Sequence, residues 1–195
     1  MKTAGLFNNS NTLKTIGASL LLLLSAGSIS SHAQEKYGNT LNLGVGISYF
    51  SYFDRPVPYF TANYEFNVAR QFTLAPFIGF ASAQSRNYWE NPGHNDRYYY
   101  RETVVPIGIK GTYYFDKILD ANPHWDFYLA ASAGVAIRSV TWDDGYTGNR
   151  DVYRATSRPY LDLHIGTEYH ITKKVGIYAD LSTGVSTIGL AVHHR

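Results

Sequence analysis

The sequence predicts an all-β protein, an antiparallel up-and-down transmembrane β-barrel of about eight strands. Three observations carry that prediction. Between Asn39 and Arg195, apolar residues alternate with Gly, Ser, Thr, Asn or charged residues in about eight segments of transmembrane-strand length. An export-type leader precedes them. The links between segments largely alternate between short and long, as in a barrel with tight turns at one rim and loops at the other.

The leader carries Lys2 and Lys14, an apolar run from Ile16 to Ala26, and Ser31-His32-Ala33 before Gln34. It reads as a signal peptide over residues 1–33, cut after Ala33. The apolar run is well short of the roughly 20 residues a membrane helix needs, and no later segment is long and apolar enough to span as a helix. Residues 34–195 then form one barrel domain. Both leader lysines depart without any acid, so 17 basic against 15 acidic residues become 15 against 15. A near-neutral chain has no basic footprint for nucleic acid. The chain has no cysteine, which rules out disulfides, a thiol nucleophile and a Cys-ligated metal.

Strand one, Thr40 to Phe53, sets Leu41, Leu43, Val45, Ile47 and Tyr49 against Asn42, Gly44, Gly46 and Ser48. Strand two sets Phe60, Ala62, Tyr64, Phe66 and Val68 against Thr61, Asn63, Glu65 and Asn67; strand three sets Phe72, Leu74, Ile78 and Phe80 against Thr73, Ala75 and Gly79. In strand four Val105, Ile107, Ile109, Tyr113 and Phe115 oppose Gly108, Lys110 and Thr112. In strand five the apolar face runs from Phe127 to Ile137, with Asp126, Ser132, Gly134 and Arg138 opposite. Strand six opposes Leu161, Leu163, Ile165 and Ile171 to Asp162, His164, Gly166, Glu168 and His170. Strand seven opposes Val175, Ile177, Ala179 and Leu181 to Gly176, Asp180 and Ser182, and strand eight falls near Ser186 to His194. Pro76 and Pro106 lie inside strands, where a missing N–H predicts local bulges.

Aromatic residues form two bands. Tyr49, Tyr52, Phe53, Tyr59, Trp142 and Tyr160 fall near one rim, and Tyr64, Phe66, Tyr113, Tyr114, Phe115, Trp125, Phe127 and Tyr169 near the other. Bands at the two headgroup levels, separated by an aliphatic belt, predict a bilayer-spanning barrel.

The strand from Val105 to Phe115 and the Gly-rich alternation of the first strand resemble the eight-stranded outer-membrane β-barrel proteins, the OmpA-like and OmpW-like group. The resemblance covers nearly all of residues 34–195. It implies a porin-like barrel of the Gram-negative cell envelope, located in the outer membrane. The implied partners are outer-membrane lipid and lipopolysaccharide, the outer-membrane assembly machinery, and a surface ligand. Members commonly end in an aromatic residue that the assembly machinery reads, whereas this chain ends His193-His194-Arg195. The fold does not decide the activity, since such barrels include anchors, adhesins, small-solute channels and lipid-modifying enzymes.

A barrel of this size fills its interior with side chains. Lys110, Arg138, Asp162, His164, Glu168 and Asp180 then share a confined polar interior, where mixed charges neutralise one another as a plug. The alternative is a narrow channel for small or weakly hydrophobic solutes, with a proton-sensitive path through His164 or His170. Two polar excursions, Gln84 to Arg101 and Asp143 to Ser157, hold residue types that make good contact surfaces, with Tyr88, Trp89, Arg97 and Tyr146 as the binding candidates. The acids of the second lack the spacing of a calcium loop, so neither a metal nor another cofactor is expected. Lipid A-modifying enzymes occur on similar barrels, with a Ser, a His and an acid on the membrane-facing wall; here that face offers only Thr167 and Thr183 as hydroxyls. A soluble ligand carrier would instead turn the apolar face inward. The expected role is therefore structural or surface-interacting, without catalysis.

Overall fold

The structure of the protein is a computed structural model, and the residues it describes are 39–50, 53, 55–88, 97–116, 118–142 and 156–194; for 85–88, 97 and 98 the description covers the backbone alone. The segment read as a leader, residues 1–33, lies outside them. Eight strands follow in order: β1 (Asn39–Ser48), β2 (Val57–Ala69), β3 (Phe72–Tyr88), β4 (Arg97–Tyr114), β5 (Trp125–Trp142), β6 (Arg158–His170), β7 (Val175–Ser182) and β8 (Val185–His194). Each pairs antiparallel with the next, and β8 returns to β1, closing the barrel. The closing register runs unbroken from Asn39↔His194 to Ser48↔Val185. The chain's unusual ending therefore does not shorten the last strand.

The period-two pattern settles which face points out. Leu161 and Leu163 are 80 % and 65 % exposed, while Asp162 between them is 2 % exposed. The same parity holds along β1, where Leu43, Val45 and Ile47 face outward. An apolar belt thus surrounds a largely polar interior, which contradicts the soluble-carrier arrangement. In hydrocarbon, only a closed sheet leaves no strand edge unpaired.

Neither proline makes a bulge. Pro76 keeps its pairing with Ile109 of β4, but the β2–β3 ladder is interrupted opposite it, between Asn63↔Phe77 and Phe66↔Leu74, without a change of register. Likewise Pro106 pairs with Ala136 on β5, while the β3–β4 ladder skips from Ile78↔Ile107 to Ala81↔Val104. Each proline turns the side lacking an N–H toward one neighbour, and the remaining bonds hold the register. The register shift in the β2–β3 ladder lies at Asn67/Ala69, beside the turn.

The excursion from Gln84 to Arg101 is in large part a hairpin, because β3 and β4 stay paired from Gln84↔Arg101 out to Tyr88↔Arg97. No Gly or Pro interrupts residues 84 to 91, and Tyr98-Tyr99-Tyr100 favours extended backbone. Strands β3, β4 and β5 span 17, 18 and 18 residues, against 8 for β7 and 10 for β8. Since β2–β3, β4–β5 and β6–β7 join by connections at one rim, the extra length rises at the opposite rim. The wall is tall on one side and low on the other.

Three tyrosines assigned to the aromatic bands face inward instead. Tyr59, Tyr114 and Tyr160 are buried. Near the rim of short turns the outward band remains, with Trp125 stacked on Phe127 and 4.9 Å from Tyr169 between ring centroids. The long-loop end of the interior is apolar: Phe50, Val57, Tyr59, Ala81, Val104, Ala136, Tyr160 and Val185 form one buried cluster.

Candidate functional site in the barrel interior

Inward-facing tyrosines and polar groups fill the lumen because inward glycines make space for them. A Cβ at Gly79 would collide with the Tyr59 ring and one at Gly166 with the Tyr128 ring, so each ring lies flat over a neighbouring strand. This is how a small barrel fills its interior without thick side chains at every position.

The six interior candidates do not form one network. At mid-lumen, Lys110 Nζ on β4 reaches Asp180 Oδ2 on β7 at 2.6 Å. Tyr128 donates its hydroxyl to the same oxygen at 3.0 Å, and His164 Nδ1 lies 2.8 Å from Asp180 Oδ1. Lys110 also sits over the Tyr128 ring, 5.1 Å from its centroid. Asp180 is thus bonded at both oxygens, which makes a buried charge tolerable. A cavity of about 40 Å³ adjoins this cluster, lined in part by Lys110, Ser132, His164 and Asp180. That is room for water, and not for a solute in transit.

Asp162 serves the β7–β8 turn. It accepts hydrogen bonds from the Ser182 hydroxyl at 2.7 Å, the Thr183 hydroxyl at 2.6 Å and the Gly184 N–H at 2.8 Å, and from Tyr160 at 2.9 Å. Arg138 pairs with Glu102 across the β4–β5 ladder. Near the short-turn rim Glu168 bonds His193 at 2.6 Å, and His170 bonds Asp126 at 2.8 Å. Glu65, buried, is held by donors from Asn42 at 2.9 Å and from Thr73 and Tyr114 at 2.8 Å.

One contact line resembles nucleophile chemistry. Ser132 Oγ lies 2.9 Å from His164 Nε2, and His164 Nδ1 in turn 2.8 Å from Asp180. These are the nucleophile–base–acid spacings of a hydrolytic triad. No enzyme-like set was expected on the membrane-facing wall, and this one lies inside. Its acid is also claimed by Lys110 and Tyr128, and the adjoining cavity leaves no space for an acyl substrate.

No family model matches the sequence, and no curated protein matches it. Solved structures do. The crystal structure of Neisserial surface protein A superposes with a TM-score of 0.52 at 14% identity, over 80% of this chain and 96% of that one. The chain has the fold of the small eight-stranded outer-membrane barrels. Ail, the attachment invasion locus protein of Yersinia pestis, in its complex with the heparin analogue sucrose octasulfate, is 10% identical with a TM-score of 0.45, covering 80% of this chain and 98% of that one. A de novo designed transmembrane β-barrel matches at 14% identity and a TM-score of 0.42, over 80% and 95% of the two chains. None of these matches carries the narrower OmpA-like or OmpW-like name. Of the external candidates on this barrel, Tyr88 and Arg97 are paired through their backbones at the outer end of the β3–β4 hairpin; Trp89 and Tyr146 lie outside the described residues.

Proposed function

We propose that the chain is an outer-membrane barrel, exported on the leader over residues 1–33, whose role is structural or surface-interacting and not catalytic. The observation that carries this reading is the combination of a filled lumen with a wall raised on one side, where β3, β4 and β5 extend beyond the shorter strands. In this reading outer-membrane lipid and lipopolysaccharide cover the membrane-facing belt, which the exposed apolar residues of the outer wall support, and the outer-membrane assembly machinery inserts the barrel. With its N-terminus on the periplasmic side, the barrel carries the raised hairpin outside the cell, together with Tyr88, Trp89, Arg97 and Tyr146. A surface ligand would be met there.

The test removes the hairpin tip and keeps the ladder. Replacing residues 89–96 by Asn-Gly, a turn matched to strand twist, together with Tyr146→Ala, leaves a folded barrel. Binding of expressing cells to protein and glycan arrays is expected to fall to that of cells lacking the protein. Unchanged binding would dispose of the surface role.

A hydrolase is the second reading, favoured only by the Ser132–His164–Asp180 line. The burial of Ser132, 4 % exposed, argues for a structural relay. A fluorophosphonate probe is expected to leave Ser132 unlabelled in the folded barrel. Labelling lost in Ser132→Ala would establish a reactive serine instead.

A further inference from the structure

The short-turn end of the lumen holds a second cluster that neither the plug nor a surface role uses. Glu168 and His170 stand two residues apart on the inward face of β6, and His193 stands on the inward face of β8. Strand β7 lies between them, and Gly176 is its residue at this level. A Cβ there would collide with Glu168 Oε1, so a missing side chain lets a carboxylate from β6 meet an imidazole from β8.

Both imidazoles aim at one oxygen. His193 Nε2 lies 2.6 Å from Glu168 Oε1 and His170 Nδ1 3.6 Å from it. One ligand atom from each of the three residues falls within 4.8 Å of the others. Tetrahedral ligands at about 2.0–2.1 Å from an ion stand about 3.3 Å apart, so small side-chain adjustments complete the set. The other ring nitrogens are already held. His170 Nε2 is 2.8 Å from Asp126 Oδ2, and His193 Nδ1 is 2.9 Å from Thr40 Oγ1. Outer contacts of this kind orient metal-binding histidines and select their tautomer. An Nε2–H donated to Asp126 leaves the His170 Nδ1 lone pair facing the cluster; at His193 a bound ion takes the place of the Nε2 proton that meets Glu168, and the ring then donates Nδ1–H to Thr40 Oγ1. Glu168 and Asp126 bring two carboxylates, whose charge a divalent cation offsets. The His170 side chain keeps 21 % of its surface exposed, which gives an ion access from the rim.

We propose that Glu168, His170 and His193 form a site for one first-row divalent cation, zinc by its two-imidazole, one-carboxylate ligand set, tying β6 to β8 across β7 beside the seam where β8 closes on β1. This is independent of the surface role. The test is calorimetric titration of the chelator-treated full chain, refolded in detergent, with zinc chloride. One ion per chain and a raised unfolding temperature are expected. His170→Gln and His193→Gln should each weaken binding at least about tenfold, while His124→Gln and His194→Gln, at exposed positions, leave it unchanged. Should the lumen variants not refold, nitrogen-15 histidine spectra of the unaltered protein decide: zinc must shift His170 and His193. Absence of stoichiometric binding, binding retained in the double His170→Gln/His193→Gln variant, or shifts confined to other histidines would overturn the proposal.

Discussion

Lys110 shows how much one residue can carry in a filled barrel. Its ammonium crosses the lumen to Asp180, and the pair lies beside a cavity too small for anything but water. Lys110→Met leaves a buried carboxylate with only Tyr128 and His164, at a cost of about 3 kcal/mol; the urea midpoint of refolded protein should fall accordingly, with no new conductance. Asp162 acts differently, as the acceptor for a turn. Asp162→Ala takes away the acceptor shared by the Tyr160, Ser182, Thr183 and Gly184 donors and should cost about 2 kcal/mol or more on the same scale. At this scale the sequence identified the polar, inward-facing residues but not their partners. Arg138 pairs with Glu102, a residue just past the polar excursion that belongs to no alternating segment until the β3–β4 ladder is seen. His193 belongs to the strand whose end is least marked by pattern, and its contact with Glu168 spans an intervening strand. Partners of this kind follow from register and closure, which alternation along one strand does not contain.

Alternation did define the elements, because a half-buried strand has one face in hydrocarbon and one in the lumen, and the two select different residue types. The aromatic bands, drawn by residue type, misplaced Tyr59, Tyr114 and Tyr160, because an amphipathic ring suits either face. Tyr59 shares the parity of inward Thr61 and Asn63, so position rather than residue type decides its direction. Two variants separate the faces. Ile165→Arg, 54 % exposed on the outer wall at Ile165, should cost about 2–4 kcal/mol in bilayers if it lies near the midplane. Gly166→Val, on the inner face of the same strand, meets the Tyr128 ring and should cost about 1–3 kcal/mol by overpacking. Lipid-bilayer unfolding measurements on both would show a depth dependence for the first alone. The prolines belong to this scale too: each removes ladder bonds on one side and leaves the register intact, an outcome that depends on which neighbour the N–H would have faced.

For the whole molecule, closure is the decisive property. The β1–β8 ladder removes the free edges, the outward belt matches hydrocarbon, and the interior is occupied by tyrosine rings, ion pairs and an apolar cluster at the long-loop end. In the proposed role, a barrel built this way spans a membrane without opening it, and the raised β3–β4 hairpin is the part that meets a ligand outside. The most direct test is planar-bilayer conductance of refolded residues 34–195, with insertion verified by a heat-dependent shift on an unboiled gel. An inserted and silent barrel is the expected result; reproducible conductance steps would contradict the filled lumen.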